Sequence, residues 1–355
     1  MSNSSIGKKV FVGMSGGVDS SVSAALLKKD GYDVTGVFIK VWQPDWMDCD
    51  WREERLEAMR AAAHLGIPFV TLDLEYEYKK GVIDYMIAEY AAGRTPNPDV
   101  MCNREVKFGA FWDWAKKNGA DYIATGHYEI NTDNKLFAGT DTNKDQSYFL
   151  WTLNKDDLAH VLFPVGNMTK PEVRKLAKKF KLPNADKKDS QGLCFIGKVD
   201  LKDFLQHYIK TEQGNVLDEN GSVIGTHPGA LLFTIGERHG FTVTKKTPDD
   251  ERYFVISKDV KVNTITVSNK KEDVLPNSIK RVQLRGVSWV SKVPKVGEKL
   301  LARSRYRETL SEVKVISVEK ALAIVEFSEP QDTITSGQSL VIYDGQECLG
   351  GGFIV

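Results

Sequence analysis

The segment Gly13-Met14-Ser15-Gly16-Gly17-Val18-Asp19-Ser20-Ser21 constrains the fold more than any other stretch of the chain. The apolar run Val10-Phe11-Val12 ahead of it reads as a short buried strand, and Val22 to Lys28 behind it has helical spacing. A strand that enters a helix through two adjacent glycines lets the main chain approach a ligand closely. Ser15, Ser20 and Ser21 add hydroxyl donors at the helix start, so the turn reads as an anion cradle. It has no GxxxxGK lysine and no GxGxxG pattern, which excludes the two commonest phosphate-binding loops. A plain glycine connection would need neither the three serines nor the acidic Asp19.

Downstream, strands expected at 33–40, 68–74 and 122–125 alternate with helices expected at 55–65, 79–91 and 105–117. An acidic loop with Asp45, Asp48, Asp50, Glu53 and Glu54 precedes the first of these helices. This rhythm predicts crossover units on a parallel sheet, with ligands at the carboxyl ends of the strands. The cradle and the Gly126-His127 loop both fall there. Beyond a helix expected at 202–210, the stretch 214–225 has the alternation and Asn-Gly turn of a hairpin, and 252–257 and 264–268 are strand-like. A small mainly-β module over 206–274 follows from this. Six alternating segments between 275 and 355 predict a closed six-stranded β-barrel, one strand being expected at 299–306. Arg303, Arg305 and Arg307 would then share a strand face, either gripping phosphates or serving as ordinary surface charge. The expected fold class is α/β for 1–205, mainly-β for 206–274 and β-barrel for 275–355.

With 355 residues, 41% of them hydrophobic, the chain can bury sizeable cores in two or three domains. Residues 1–9 hold no apolar leader and no stretch approaches a membrane span, so a soluble, cytoplasmic protein is expected. Basic and acidic residues balance at 48 each, which removes any whole-molecule argument for nucleic-acid binding. Locally, residues 169–188 hold eight Lys or Arg against Glu172 and Asp186. Such a run is either an electrostatic footprint for a phosphate backbone or a solvated helix face.

Cys49, Cys102, Cys194 and Cys348 contain no CxxC pair and the histidines are scattered, so no dedicated zinc or iron-sulfur site is expected. In 95–104 two prolines predict a stiff loop ahead of a helix beginning near Arg104. A thiol at that helix start and beside Arg104 would have its thiolate favoured, making Cys102 a candidate nucleophile; the alternative is a small buried hydrophobe. Cys194 lies between Gly192 and Gly197 and follows Lys187 and Lys188. A pliable loop of this kind suits a persulfide that must be loaded and then presented, whereas Phe195 and Ile196 favour simple packing. No role is assigned to Cys49 or Cys348.

The turn SGGVDSS resembles the PP-loop of the ATP pyrophosphatases, in which the acid, here Asp19, sits beside the phosphates and their magnesium. PP-loop enzymes make amides, guanidines and thionucleosides alike, so the acceptor has to be read elsewhere. TPNPDVMCNREVKFG (95–109), ATGHY (124–128), KDQSYFLWTL (144–153), KKDSQGLCFIG (187–197), the stretch 225–239 and the C-terminal GQSLVIYDGQECLGGGFIV resemble the bacterial and mitochondrial tRNA-specific 2-thiouridylases along the whole chain. The resemblance implies thiolation at C2 of the wobble uridine in tRNAs for Lys, Glu and Gln. ATP, Mg2+ and a persulfide relayed from a cysteine desulfurase or sulfur-relay protein would be consumed.

Carried over by position, the resemblance assigns Gly13, Met14, Ser15, Gly16, Gly17, Val18, Asp19 and Ser20 to ATP, with Ile39 and Gly126 completing the nucleotide site. Ile39 stands where this family often has methionine, a tolerable apolar exchange against adenine. Asn97, Pro98 and Asp99 would contact the target base, Asp99 as general acid or base. Cys102 would be the nucleophile and Cys194 the persulfide carrier, the two joining in a transient disulfide. His127, Lys144, Asp145, Gln146, Arg305, Tyr306 and Gln338 would touch tRNA. Gln191 and Glu308 depart from the usual threonine and glutamine, and Glu308 sets a negative charge near RNA. A monomer is expected. The other readings are a PP-loop amide ligase, which leaves both cysteine loops idle, and a non-catalytic RNA-binding protein, against which the intact Asp19, Cys102 and Cys194 argue.

Overall fold

The computed structural model describes residues 6–47, 51–188, 201–244, 252–270, 279–331 and 334–355. Cys49, Gln191 and Cys194 lie outside the described residues. In the N-terminal part the strands are β1 (Lys9–Gly13), β2 (Asp33–Lys40), β3 (Phe69–Asp73), β4 (Tyr122–Ala124), the hairpin β5 (Ile130–Thr132) and β6 (Lys135–Phe137), and β7 (Val161–Leu162). Five of them form an all-parallel sheet in the order β3-β2-β1-β4-β7. Parallel strands are covered on both faces, which is why β1 reads as an unbroken apolar run. Val10 and Val12 face α1 (Val18–Lys29) and α2 (Trp51–Leu65), packing with Ala24, Ala58 and Ala61. Phe11 faces the other way, into a cluster with Val106 and Phe111. The strand order turns back at β1, with β2 on one side and β4 on the other, so the loops leaving β1 and β4 part across a crevice.

Helical boundaries differ from expectation: the helix expected at 79–91 begins at Glu75, the one expected at 202–210 ends at Gln206, and two further shifts bear on the site. Helix α2 begins at Trp51, so Glu53 and Glu54 sit in its first turn, where the positive end of the helix favours acids. The segment expected as a stiff loop before Arg104 is already helical from Pro98, running through Pro98–Met101, a π-helical stretch Cys102–Ala110 and Phe111–Lys117. Asn97 is the N-cap and accepts from the backbone N–H of Asp99 and Val100 at 3.1 and 3.4 Å. Proline at the first helical position has its φ preset and lacks only an N–H that would be unpaired there, so Asn97-Pro98 starts a helix instead of delaying one.

The central part holds β8 (Gly214–Leu217), β9 (Val223–His227), β10 (Thr242–Val243), β11 (Phe254–Asp259) and β12 (Thr264–Ser268) in one sheet of order β10-β9-β8-β12-β11. The expected hairpin is β8–β9. In the C-terminal part β13 (Ile279–Trp289), β14 (Lys299–Arg303), β15 (Ser311–Val318), β16 (Leu322–Gln331), β17 (Ser339–Asp344) and β18 (Glu347–Ile354) run antiparallel, and β13 pairs with β18 to close the six-stranded barrel. Val282, Leu300, Val313, Val325 and Leu340 fill its interior.

The strand expected to reach 306 stops at Arg303, and Arg307 adopts a left-handed φ of 63° in the following turn. Arg303, Arg305 and Arg307 therefore do not share a strand face: Arg303 is buried, while Arg305 and Arg307 are exposed on the turn.

The domains are tied together below the surface. Strand β6 extends the barrel sheet by pairing with the start of β18, Leu136 opposite Cys348 and Phe137 opposite Glu347. The Tyr148 hydroxyl donates to the carbonyls of Ser304 and Ser339 at 2.7 and 3.1 Å, and the Trp151 indole donates to Ser339 Oγ at 3.0 Å. Buried tyrosine and tryptophan need such partners for their polar tips, which accounts for much of the SYFLW stretch. Glu89 on the 75–91 helix accepts from Arg94 at 2.6 and 2.7 Å and from Arg285 of β13 at 2.8 Å. These two guanidinium groups, with the Arg94 hydrogen bond contributing most, hold the Glu89 carboxyl below its ordinary range.

Candidate active site

The turn after β1 is shaped by a close approach of main chain to main chain. Gly16 has φ +77°, and a Cβ there would lie 2.5 Å from the Glu54 carbonyl oxygen; only glycine fits. Gly17 is the N-cap of α1 and no side chain caps that helix, so its first N–H groups are presented at the mouth of the turn. The serines divide. Ser15 is exposed at the mouth, whereas Ser20 and Ser21 are buried and donate to the Gly17 carbonyl at 3.2 and 2.9 Å. Those two hydroxyls brace the cradle instead of facing outward as expected. Asn184, which the sequence reading passed over, braces it from outside: its Nδ2 lies 2.9 Å from the Gly16 carbonyl and 3.2 Å from that of Gly17.

Asp19 stands in the first turn of α1 with its carboxylate half-buried. Lys170 Nζ reaches both of its oxygens, at 2.6 and 2.8 Å, and the Tyr128 hydroxyl donates to Oδ1 at 2.7 Å. Lys170 is nearly buried and opens the Lys170–Lys179 helix, whose Thr169–Glu172 capping box fixes its start. An ammonium therefore stands at the cradle, a feature hidden in the sequence by the run of surface lysines around it. Gly126 leaves β4 against the same turn; a Cβ on it would lie 2.6 Å from Ser20 N and 2.9 Å from the Asp19 carbonyl carbon. Met14 and Ile39, both buried, end neighbouring strands beside it. Thus Gly13 to Ser20, Ile39 and Gly126 gather at the carboxyl edge of three adjacent parallel strands.

The helix from Pro98 approaches this edge through Phe111, whose ring is 3.7 Å from where a Gly13 Cβ would stand, and through Phe108, 5.7 Å from the His127 ring. Asn97, Pro98 and Asp99 are half-buried. Asp99 and Cys102, three residues apart in a helix, lie on neighbouring positions of one face. Cys102 itself is buried at 1% exposure and begins the π-helical stretch, a distortion that recurs at functional sites. It lies beyond the first turn, where the helix-end field has faded, and Arg104 is engaged by Glu105 at 2.7 Å.

The residues expected to meet tRNA separate into surface and interior. Lys144, Gln146, Tyr306 and Gln338 are half-buried and Arg305 is exposed. Gln338 Nε2 donates to the carbonyls of Thr95 and Pro96 at 3.0 and 3.3 Å, which ties the barrel to the start of the Asn97 helix. Asp145 and His127, in contrast, are buried. Asp145 is ion-paired with Arg303 at 2.6 Å, both side chains at or below 10% exposure. Burial opposes the Arg303 charge, but Tyr343 and Asp145 hold its guanidinium protonated. His127 shares a 2.7 Å hydrogen bond with Thr125, and burial, reinforced by the Lys107 charge, drives its imidazole well below the ordinary range. Glu129, fully buried, is pushed well above its ordinary range by burial and then by Asp145. Glu308 turns its carboxylate onto the turn, accepting from Ser304 N, Ser304 Oγ and Arg305 N at 2.7 to 2.9 Å. Its negative charge is thereby partly spent on the turn itself.

The basic run 169–188 is likewise mixed. Lys170 binds Asp19, Arg174 donates to the Lys187 carbonyl at 3.0 Å, Lys178 pairs with Asp186 at 3.2 Å and Lys187 pairs with Glu57. Lys175, Lys179, Lys181 and Lys188 remain exposed. Among the described residues no cluster of three His, Cys, Asp or Glu side chains is placed to hold a metal, and no helix is long and apolar enough to cross a membrane.

Comparison with known proteins covers the whole chain. The tRNA methyl transferase HUP domain matches residues 8–198, the tRNA methyl transferase PRC-barrel domain 202–269 and the aminomethyltransferase beta-barrel domain 280–354. A tRNA-specific 2-thiouridylase MnmA of Listeria monocytogenes is 44% identical over 100% of this chain and 96% of that protein. One of Nitrosomonas eutropha is 44% identical over 98% of each. Among solved structures, the U34-tRNA thiolase NcsA of Methanococcus maripaludis is similar over 50% of this chain and 59% of that one, at 16% identity and a TM-score of 0.35, too slight a likeness to build on. An anion cradle at a sheet switch point, a β-barrel locked onto it and end-to-end identity of this order place the chain in the tRNA-specific 2-thiouridylase family.

Proposed function

We propose that the chain is an ATP-dependent tRNA sulfurtransferase that replaces the C2 oxygen of the wobble uridine in tRNAs for Lys, Glu and Gln with sulfur. The observation that carries this reading is the anion cradle with the Lys170 ammonium beside it at the sheet edge, in a chain matched end to end by 2-thiouridylases. The N–H groups at the start of α1 and the Lys170 ammonium suit the phosphates of ATP. Magnesium fits as an ion carried by those phosphates: Asp19 offers one carboxylate, and Mg2+ ordinarily takes only one or two from protein. When bound it offsets charge on the departing pyrophosphate.

A uridine C2 carbonyl is a poor electrophile. Its oxygen attacks the ATP α-phosphorus, pyrophosphate leaves, and C2 becomes open to sulfur with AMP as leaving group. Asn97 and Asp99 are the groups assigned to hold the base, Asp99 also moving its proton. In one route a Cys194 persulfide attacks C2 directly, AMP departs, and the Cys102 thiolate then attacks the Cys194 sulfur, releasing the thiocarbonyl and leaving a Cys102–Cys194 disulfide. In the other, Cys102 attacks first and frees hydrosulfide, which displaces AMP. Both end in the same disulfide, which an external thiol reduces. Because Cys102 is buried, either route requires its surroundings to open when the base enters.

The test is to incubate the protein with unmodified tRNA-Glu transcript, ATP, Mg2+ and a persulfide source, digest the RNA and detect 2-thiouridine by mass. Product is expected from the wild type and lost in Cys102→Ser and Cys194→Ser. Absence of product, with pyrophosphate released in the presence of a small acid and ammonia, would instead mark an amide ligase.

A further inference from the structure

Asn103 carries an atom that the chemistry above leaves unused. Its side chain is buried at 2% exposure, and among the described residues its Oδ1 has no hydrogen-bond partner. Its Nδ2 donates to the Phe149 carbonyl at 3.4 Å, near the outer limit for such a bond. A carboxamide has two N–H groups and two lone pairs, so one N–H and the whole acceptor stay open. An unpaired buried acceptor destabilises a fold where an apolar side chain of similar shape would not. Beside a reaction site, such an atom is the mark of a ligand that has still to arrive.

Position selects the ligand. Asn103 stands four residues beyond Asp99 on the helix that Asn97 caps, a spacing that sets the two side chains on one face about 6 Å apart. Its other neighbours on this helix, Val100, Met101 and Val106, are buried and apolar. Phe149 closes the short turn Ser147–Phe149, which the Tyr148 hydroxyl and the Trp151 indole pin to the barrel. The Phe149 ring lies 4.8 Å from that of Tyr306. A carbonyl held there accepts and cannot donate, so only the N–H side of the Asn103 amide can face it. The amide is thus locked one way round, with Oδ1 turned from Phe149.

A locked amide can read the edge of a base. Uracil presents the donor N3–H with the acceptor O4 beside it; cytosine presents the acceptor N3 with an amino donor beside it. Oδ1 and the spare N–H of Asn103 complement the first edge and oppose the second. A free amide would turn over and suit either. Sites built around a hydrogen bond reject the ligand that lacks it far more strongly than apolar pockets do. Asp99, one turn earlier, remains the group that moves the proton.

We propose that Asn103 distinguishes uracil from cytosine at the target position, its Oδ1 accepting from N3–H and its Nδ2 donating to O4. This rests on the tRNA reading given above. The test titrates the full-length protein with fluorescently labelled anticodon stem-loop RNA of tRNA-Glu carrying uridine, cytidine or 3-methyluridine at the target position. The wild type should bind the uridine RNA about tenfold or more tightly than the other two, the discrimination of one bidentate pair. Equal binding of all three would overturn the proposal, and this comparison needs no variant to fold. Asn103→Leu should erase the difference between the three RNAs with ATP affinity unchanged. Its urea midpoint should equal or exceed that of the wild type, because an unpaired buried acceptor is removed. Asn103→Ala, which leaves room where the carboxamide stood, should bind 3-methyluridine RNA as well as uridine RNA. Discrimination kept in either variant would overturn the proposal and leave the reading to Asn97 and Asp99. Failure of the uridine RNA to bind the wild type at all would instead sink the tRNA reading itself.

Discussion

Arg303 and Asp145 meet at 2.6 Å inside the molecule, one from the barrel and one from the catalytic domain, where each had been expected to face solvent. Tyr343 and Ser147 complete the pair, with Arg303 nitrogens 2.9 and 3.1 Å from the two hydroxyls. Removing one partner of a buried pair strands the other, at a cost of about 3–5 kcal/mol. Arg303→Met should therefore lower unfolding free energy by that order in denaturant titrations. Adding Asp145→Leu should restore part of it. A single variant as stable as the wild type would show the pair to be dispensable.

Lys170 tests the cradle. If its ammonium serves pyrophosphate as it leaves, Lys170→Met should slow tRNA-dependent pyrophosphate release by about a hundredfold or more, a loss typical of removing one transition-state donor. Circular dichroism should show the fold retained. Unaltered release would confine Lys170 to a structural pairing with Asp19.

At Gly126 a methyl group would meet the peptide bond between Asp19 and Ser20, and main chain cannot swing aside. Gly126→Ala is expected to displace the first turn of α1 and weaken ATP binding at least tenfold, measured by calorimetry, while far-UV circular dichroism stays the same. Retained affinity would remove Gly126 from the nucleotide site.

Asn97 caps the helix that carries Asp99 and Cys102. Replacement by alanine should cost about 1 kcal/mol of stability, and it should depress thiolation more than it depresses ATP affinity, because the cap also sets where Asp99 stands. Equal loss in both assays would point to a general defect.

Lys258 gives a pH signature. Its ammonium donates to the Phe233 carbonyl at 2.7 Å, and burial lowers its pKa from 10.5 to about 8. Between those values the unfolded chain holds a proton that the folded chain has released, so this group makes stability rise with pH from about 8 to 10.5. Below about 8 the folded state bears the full cost of the buried charge. Wild-type stability should therefore climb relative to Lys258→Met across that window. Parallel pH profiles for the two proteins would contradict this.

Much of the architecture was readable because period and punctuation agreed: apolar runs with glycine turns gave the parallel sheet, and strict alternation gave the barrel. The departures have local causes. Asn97-Pro98-Asp99 holds a cap, a first-turn proline and a first-turn acid, a start signal obscured by taking proline only as a breaker. Arg303 kept the alternation of its neighbours, but the strand ended beneath it, and nothing in the spacing of three arginines says which one finds a buried carboxylate 158 positions away. Lys170 was hidden differently. In a run of eight basic residues, only packing against α1 separates the one at the cradle from those in water. Cys102 combined both problems, since it was read as part of a polar loop and sits in an apolar cluster.

The pairing of β6 with β18 has a consequence for how such a protein could have been assembled. The side of β18 that binds β13 along its later half binds the catalytic domain along its first residues, so one strand edge is divided between barrel closure and attachment. A barrel transplanted onto another enzyme would bring a bare stretch of backbone with it, open to pairing with whatever strand it meets. An exchange of the barrel would therefore have to replace β6 along Glu347 and Cys348 as well, which couples the two parts at the level of a strand edge.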